Sequence, residues 1–261
     1  MVALSRTIVM TTVFFFAIKI TRRRLRVPKK VLCASLFNGI LMGMMTFGNI
    51  GAVEFIPIGL ASLLFFTFPI IIAALVIAFR IEHVTWLKGV TIVVAFIGLA
   101  TMLVDSVGSV DGRGVALSLM GAAATAVNAI LVGRYFKGVD VFVMTFYFSL
   151  GAFAFLLCLA ATIAEVRYPE TALGWGGVLG VGVLQSIGTP MYLYSIAKIG
   201  ALKTGIAANI QPVTSVVEAW AMFDEVLAIL QALGGALVLV GIAFMQWADF
   251  KVQRRGNEHT T

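Results

Sequence analysis

Charge is scarce in this chain. Of its 261 residues, 12% are Asp, Glu, Lys or Arg, about half the ~25% usual in a soluble domain. Cysteine and histidine are scarcer still, at two residues each. Cys33 and Cys158 each stand alone in an apolar run, and His83 and His259 lie far apart in sequence. No CxxC, no metal-spaced set and no disulfide framework can be drawn from them. The chain also lacks a Walker A loop, and it has no HExxH, HxxxH or DxxD set, which excludes P-loop ATP hydrolysis. These gaps predict no cofactor, no metal and no catalytic residues. A membrane-embedded enzyme needs nucleophiles, acids or ligands converging on one site, and the kit here is poor. Basic residues are present, with a net charge of +7. No base-stacking aromatics are interleaved with them, so nucleic acid is not an expected partner. Val2 to Ile20 is too long for a signal-peptide apolar region, and its basic residues follow it instead of preceding it.

What the chain has is apolar sequence. Hydrophobic residues make up 61% of it, and mean hydropathy is +1.04. A soluble enzyme, a disordered chain and a disulfide-stapled secreted domain are all excluded. About 20 apolar residues in a helix cross a ~30 Å hydrocarbon core. The apolar runs give nine spans: 2–20, 31–54, 57–79, 86–104, 113–133, 141–164, 173–197, 204–223 and 227–248. They show no alternation of period two, and a bilayer requires every backbone polar group to be satisfied internally. The expected fold class is therefore an all-α integral membrane protein, with the lipid bilayer as its first partner.

Alternating nine spans from an outside N-terminus puts 16 of the 19 basic residues on the cytoplasmic side. Only Arg6, Arg113 and Arg167 fall outside. One span more or fewer would scramble that split. The positive-inside bias thus predicts a protein of the cytoplasmic membrane, with its C-terminus inside.

An internal repeat is also legible. A shift of 143 residues places Pro69 on Pro212, Glu82 on Glu225 and Gly98 on Gly241, and further pairs Thr46 with Thr189, Ile56 with Ile199 and Ala78 with Ala221. Equivalent spans run in opposite directions, which is the inverted-topology repeat of many secondary transporters. The expected organisation is a four-helix first repeat over 1–104, a five-helix second repeat over 113–248 and a cytoplasmic tail over 249–261. The span near 113–133 has no counterpart in the first half. A full 5+5 repeat would need one further helix ahead of Val2, and nine true helices are the simpler alternative.

Polar stripes inside the spans are the candidate substrate path. Ser35, Asn38, Met42, Met45 and Asn49 share one helix face, and Gln185, Gly188, Thr189 and Tyr192 share another. The shift carries Met42, Met45 and Asn49 onto Gln185, Gly188 and Tyr192. Thr204, Gln211, Ser215 and Glu218 form a third stripe, and Glu218 is the one acid clearly inside a span. Arg6 lies at a similar depth, and the expectation is that it pairs with Glu218 or that the two hold opposite ends of a zwitterion. The path candidates are thus Arg6, Asn38, Asn49, Gln185, Tyr192, Gln211, Ser215 and Glu218. Pro69 and Pro212 are hinge candidates. The small-residue stripe Gly114, Ser118, Gly121, Thr125 and Asn128 predicts close helix packing.

The stretches PIGLASLLFFTFPIIIAALVIAFRIEHVTWLKGVTIVVAFIGLATMLV, from Pro57, and IGALKTGIAANIQPVTSVVEAWAMFDEVLAILQALGGALVLVGIAF, from Ile199, share one pattern. Each has a small-residue helix with a Pro, a Glu at the turn and a Gly-rich closing helix. The pattern resembles the drug/metabolite transporter superfamily, in particular its EamA-type ten-helix exporters. The opening ALSRTIVMTTVFFFAIKITRRR is similar to that family's second helix, so the departure is an absent first helix. The resemblance implies a secondary transporter, outward-directed, of small metabolites or amino-acid-like and amphipathic compounds. A homodimer is compatible with it. The competing expectation is a nonfunctional or interaction-only remnant of such a transporter.

Overall fold

The computed structural model describes residues 2–81, 86–103, 111–136, 138–162, 171–214, 217, 229–230, 232–241 and 243–244. All secondary structure in this set is helical. In chain order the helices are α1 (Val2–Ile20), α2 (Lys29–Ala52), α3 (Ile58–Phe65), α4 (Phe68–Ala78), α5 (Trp86–Leu103), α6 (Gly112–Tyr135), α7 (Val141–Thr162), α8 (Ala172–Ile199) and α9 (Ala201–Ala208). Helix continues over 210–214, and a later helical segment spans Ala232–Gly241. Among the described residues, five stretches are long and apolar enough to cross a membrane: Ala3–Ile20, Lys29–Ala52, Ile58–Ala78, Gly112–Tyr135 and Val141–Thr162. Trp86–Thr101 and Ala232–Gly241 are shorter apolar helices.

The bundle buries small polar side chains within a larger apolar core and leaves large apolar side chains exposed. Ser35, Asn38, Thr46, Ser118, Thr125, Thr145 and Ser149 are buried, while Phe16, Ile58, Trp86, Leu184 and Met191 are exposed. A soluble monomer does not carry so much exposed apolar surface; a chain solvated by lipid does. The buried hydroxyls are mostly satisfied one turn back on their own helix. Thr46 donates to the Met42 carbonyl, Thr125 to Gly121 and Ser186 to Gly182, the usual local solution where water is absent.

Close backbone approach holds the helices together. A Cβ added at Gly48 of α2 would lie 2.5 Å from the Leu117 carbonyl oxygen and 2.9 Å from the Gly121 nitrogen of α6. Gly39 of α2 meets the backbone of Phe148, Gly151 and Ala152 on α7 in the same way. The α6 stripe Gly114, Ser118, Gly121, Thr125 and Asn128 is buried throughout. Asp111 caps α6, accepting from the Arg113 backbone N–H at 2.8 Å and from its guanidinium at 2.8 Å. The guanidinium, and then the backbone N–H, hold the Asp111 carboxyl below its ordinary range. The cap is therefore complete above the usual carboxylate pKa and is lost only as pH falls through the lowered value.

The span expected over 57–79 matches the stretch Ile58–Ala78, interrupted midway into α3 and α4. The chain leaves helical geometry at Phe66 and Thr67 and resumes at Phe68. Pro69 is the cause: it has no N–H to donate to the Phe65 carbonyl, and its ring crowds that carbonyl. The Thr67 N–H turns instead to Leu64, three residues back. In the second half the helix begins at Ala201 and breaks at Asn209, three residues before Pro212. The Asn209 N–H likewise turns three residues back, to Ile206. A shift of 143 places α3 residue for residue on α9 and Phe66 on Asn209.

Another contact is reciprocal under the same shift. A Cβ at Gly98 of α5 would lie 2.7 Å from the Gly234 carbonyl and 2.9 Å from the Val238 nitrogen. A Cβ at Gly241 would lie 3.6 Å from the Thr91 carbonyl and 3.6 Å from the Ala95 nitrogen. Thr91 and Ala95 are the positions that 143 residues separate from Gly234 and Val238.

These contacts predict that Gly48→Ala destabilises by about 1–3 kcal/mol, the usual range for overpacking. Gly180 has nothing within 4 Å of an added Cβ, so Gly180→Ala is expected to leave stability unchanged. Thermal unfolding in detergent measures both, and equal melting temperatures would refute the packing account.

Candidate functional site

The inner face of α8 carries the candidate site. Gln185, Thr189, Tyr192 and Ser195 recur along one stripe at helical spacing. Small and β-branched neighbours let the adjacent helices close on it. Gly182, one turn before Ser186, lies against Val9 of α1. Ser195 reaches α9, where its hydroxyl lies 3.2 Å from the Thr204 hydroxyl. The stripe thus runs from α1 at one end to the interrupted helix α9 at the other.

Arg6 meets Gln185 here. Its Nε donates to Gln185 Oε1 at 2.8 Å, and its Nη2 donates to the same oxygen. Two of the five guanidinium N–H groups are used, which leaves three for a further acceptor. Two sequence candidates 179 residues apart are therefore in direct contact. Gln185 is the partner that the described residues give Arg6, and the expected pairing with Glu218 falls on a residue outside them. Glu218 and Ser215 lie outside those residues, as do Glu82, Glu225 and His83.

Tyr192 lies two turns along α8 from Gln185. Its ring packs against the main apolar cluster. Its hydroxyl is buried and has no hydrogen-bond partner among the described residues. Asn209, at the break beyond α9, is buried and its Oδ1 is equally unpartnered. A buried polar atom left unpaired costs about 1–3 kcal/mol; the Ser35 and Ser118 hydroxyls, on α2 and α6, are likewise unpartnered among the described residues. Sequence reading missed Asn209. Its signal was the amide three residues before Pro212, at the point where the helix must open.

Other candidates fall elsewhere. Asn38 is buried between α2 and α6. Its amide nitrogen donates to the Ala34 carbonyl, and the Asn128 amide donates to the Asn38 carbonyl at 3.1 Å and to its side-chain oxygen at 3.3 Å. That pair sits at a helix–helix contact, and Asn49 is half-buried at the same contact, beside Gly121. Gln211 is on an exposed face beyond the α9 break. Pro69 and Pro212 are both buried, and Pro69 lies 3.7 Å from a Cβ placed at Gly205, so α4 and α9 cross beside the first break. Among the described residues, no three His, Cys, Asp or Glu side chains come together as a metal site would require.

The family model described as the EamA-like transporter family matches residues 112–247. A solved crystal structure superposes with a TM-score of 0.76 at 19% identity, covering 93% of this chain and 85% of that one. At that identity the likeness speaks to the fold. The curated proteins yield no match.

The Arg6–Gln185 contact predicts that Gln185→Leu strands a half-buried guanidinium. Unfolding in detergent should show a loss of about 1–3 kcal/mol. Arg6→Met combined with Gln185→Leu should recover most of it. A double variant no more stable than Gln185→Leu would show that the pair contributes nothing.

Proposed function

This chain belongs to the EamA-like transporter family, and we propose that it is a secondary exporter of small amino-acid-like or amphipathic metabolites. In this reading two inverted repeats, 1–104 and 113–248, rock against each other around the inner face of α8, and the protein sits in the cytoplasmic membrane with its N-terminus outside and its C-terminus inside. The observation that carries it is the coincidence of the two helix breaks. Phe66 and Asn209 are equivalent positions, and each is followed three residues later by proline. Interrupted helices at matching points of inverted halves are where such transporters bind substrate. The reciprocal packing of Gly98 and Gly241 supports the same relation, because an isologous contact is what a two-fold axis produces.

The chemistry of the site fits a zwitterion. Arg6 has three N–H groups left for a carboxylate, and Glu218 supplies the charge for an amine. The Tyr192 hydroxyl and the Asn209 side chain provide neutral hydrogen bonds between them, and the apolar wall of the main cluster takes the hydrocarbon part. Pro69 and Pro212 are the hinges, where the backbone is already freed from the helical ladder and bending breaks no further hydrogen bond.

Tyr192→Phe separates this role from a structural one. Removing an unpartnered buried hydroxyl should leave unfolding unchanged or slightly raised. In proteoliposomes loaded with labelled amino acids and amphipathic amines, efflux through the wild type should exceed that from protein-free vesicles. The variant should lose about tenfold, equivalent to one hydrogen bond of ~1.4 kcal/mol. Undiminished efflux through Tyr192→Phe would remove the hydroxyl from the path, and no efflux of any compound by the wild type would overturn the transport reading.

A further inference from the structure

A cavity of about 610 Å³ opens where α4, α6 and α8 end and α9 begins. Its wall includes Arg80, Arg134 and Lys198, together with apolar side chains such as Val76, Ile130 and Ile196. No acid lines it among the described residues. We propose that this cavity is a binding site for a phosphate group carried on an apolar body, separate from the stripe on α8.

The charge balance is the first reason. Three helix C-termini point at this end of the bundle, and each contributes about −0.5 of a charge. With the N-terminus of α9, at about +0.5, they offset about one of the three cations and leave, among the described residues, an excess that suits a phosphate better than a single carboxylate. None of the three cations forms an ion pair among the described residues. Two are steadied by aromatic faces instead: Arg134 lies 5.7 Å from the Tyr135 ring centroid, and Lys198 lies 5.5 Å from that of Tyr194. Guanidinium forks match phosphate oxygens in pairs, and the volume lies within the ~300–1,000 Å³ range of small-molecule sites.

The backbone is the second reason. α4 ends with the Ile81 N–H bonded to the Val76 carbonyl and the Arg80 N–H bonded to Ile77. This closure places its penultimate residue in the left-handed region, where glycine is the usual occupant. Arg80 occupies it with φ of 50°. A left-handed conformation is unfavourable for a side-chain-bearing residue, and here it sets a guanidinium on the cavity wall. In sequence the position equivalent to Lys198 is Phe55 and that equivalent to Arg80 is Phe223, so the internal repeat does not itself call for these charges.

The test uses the full chain in neutral maltoside detergent and reads binding, so it is independent of transport. Inorganic phosphate and glycerol 3-phosphate are the soluble probes, followed by 31P line broadening. Phosphatidylglycerol against phosphatidylcholine is the lipid probe, followed by native mass spectrometry. Wild type is expected to bind at least one phosphate probe saturably. Retention of phosphatidylglycerol alone assigns the site to a lipid headgroup, and binding of the soluble probes assigns it to a free ligand. Arg134→Gln with Lys198→Gln should weaken binding at least tenfold. Arg80→Gly relieves the backbone and should raise the melting temperature while weakening binding. Arg24→Gln with Arg26→Gln, outside the cavity, should change nothing. Saturable binding by neither probe would overturn the proposal, and so would equal losses in the Arg24/Arg26 control.

Discussion

Lipid gives helices no hydrophobic reason to associate, because a hydrocarbon tail is as good a neighbour as a leucine. Packing must then come from how closely two backbones can approach. In this chain that distance is set by glycine. Gly39 against α7, Gly48 against α6 and Gly98 against the Ala232–Gly241 segment each leave no room for a Cβ. The polar interior follows from the same closeness. Asn38 and Asn128 reach each other because α2 and α6 are near enough for an amide to span the gap, and Arg6 reaches Gln185 because Val9 lies directly on Gly182.

The helices were legible because hydrocarbon thickness and backbone satisfaction leave little freedom over where they run. The expected spans 2–20 and 141–164 match α1 and α7 to within about two residues. The small-residue stripe on α6 was readable because glycine and serine at four-residue intervals have few uses in a membrane other than close packing. The breaks at Phe66 and Asn209 were half legible. Proline announced a disturbance, but its position does not say that the chain opens three residues earlier. The contact of Arg6 with Gln185 was not legible for a simpler reason. Both residues stood out as polar groups inside spans, but no periodicity connects residues 179 apart.

Comparing equivalent helices isolates what α6 contributes. α2 is flanked by α6 and α7, and its Leu41 is 9% exposed. The equivalent residue on α8 is Leu184, which is 69% exposed. α8 has α1 in the place of α7, as the match of Gly182 on Val9 with Gly39 on Ala152 shows. It has no described helix in the place of α6, so Gly180 and Gly188 face open space. Under the shift of 143 residues, α2 and α8 thus share one flanking contact, and among the described residues α2 has a second.

That difference bears on where function can sit. α2 is gripped along both flanks, and its larger polar groups are spent locally, Asn38 with Asn128 and Thr46 on its own helix, while the Ser35 hydroxyl stays unpartnered. α8 meets α1, α6, α7 and α9, and its stripe still has polar capacity in hand, in the remaining N–H groups at Arg6 and in the Tyr192 hydroxyl. The sequence shows both stripes as equally polar, since composition counts donors and acceptors without knowing which are already paired. Pairing, not polarity, separates a packing face from a binding face. On the proposed transport reading, the open capacity at Arg6 and at the Tyr192 hydroxyl is what would receive a substrate.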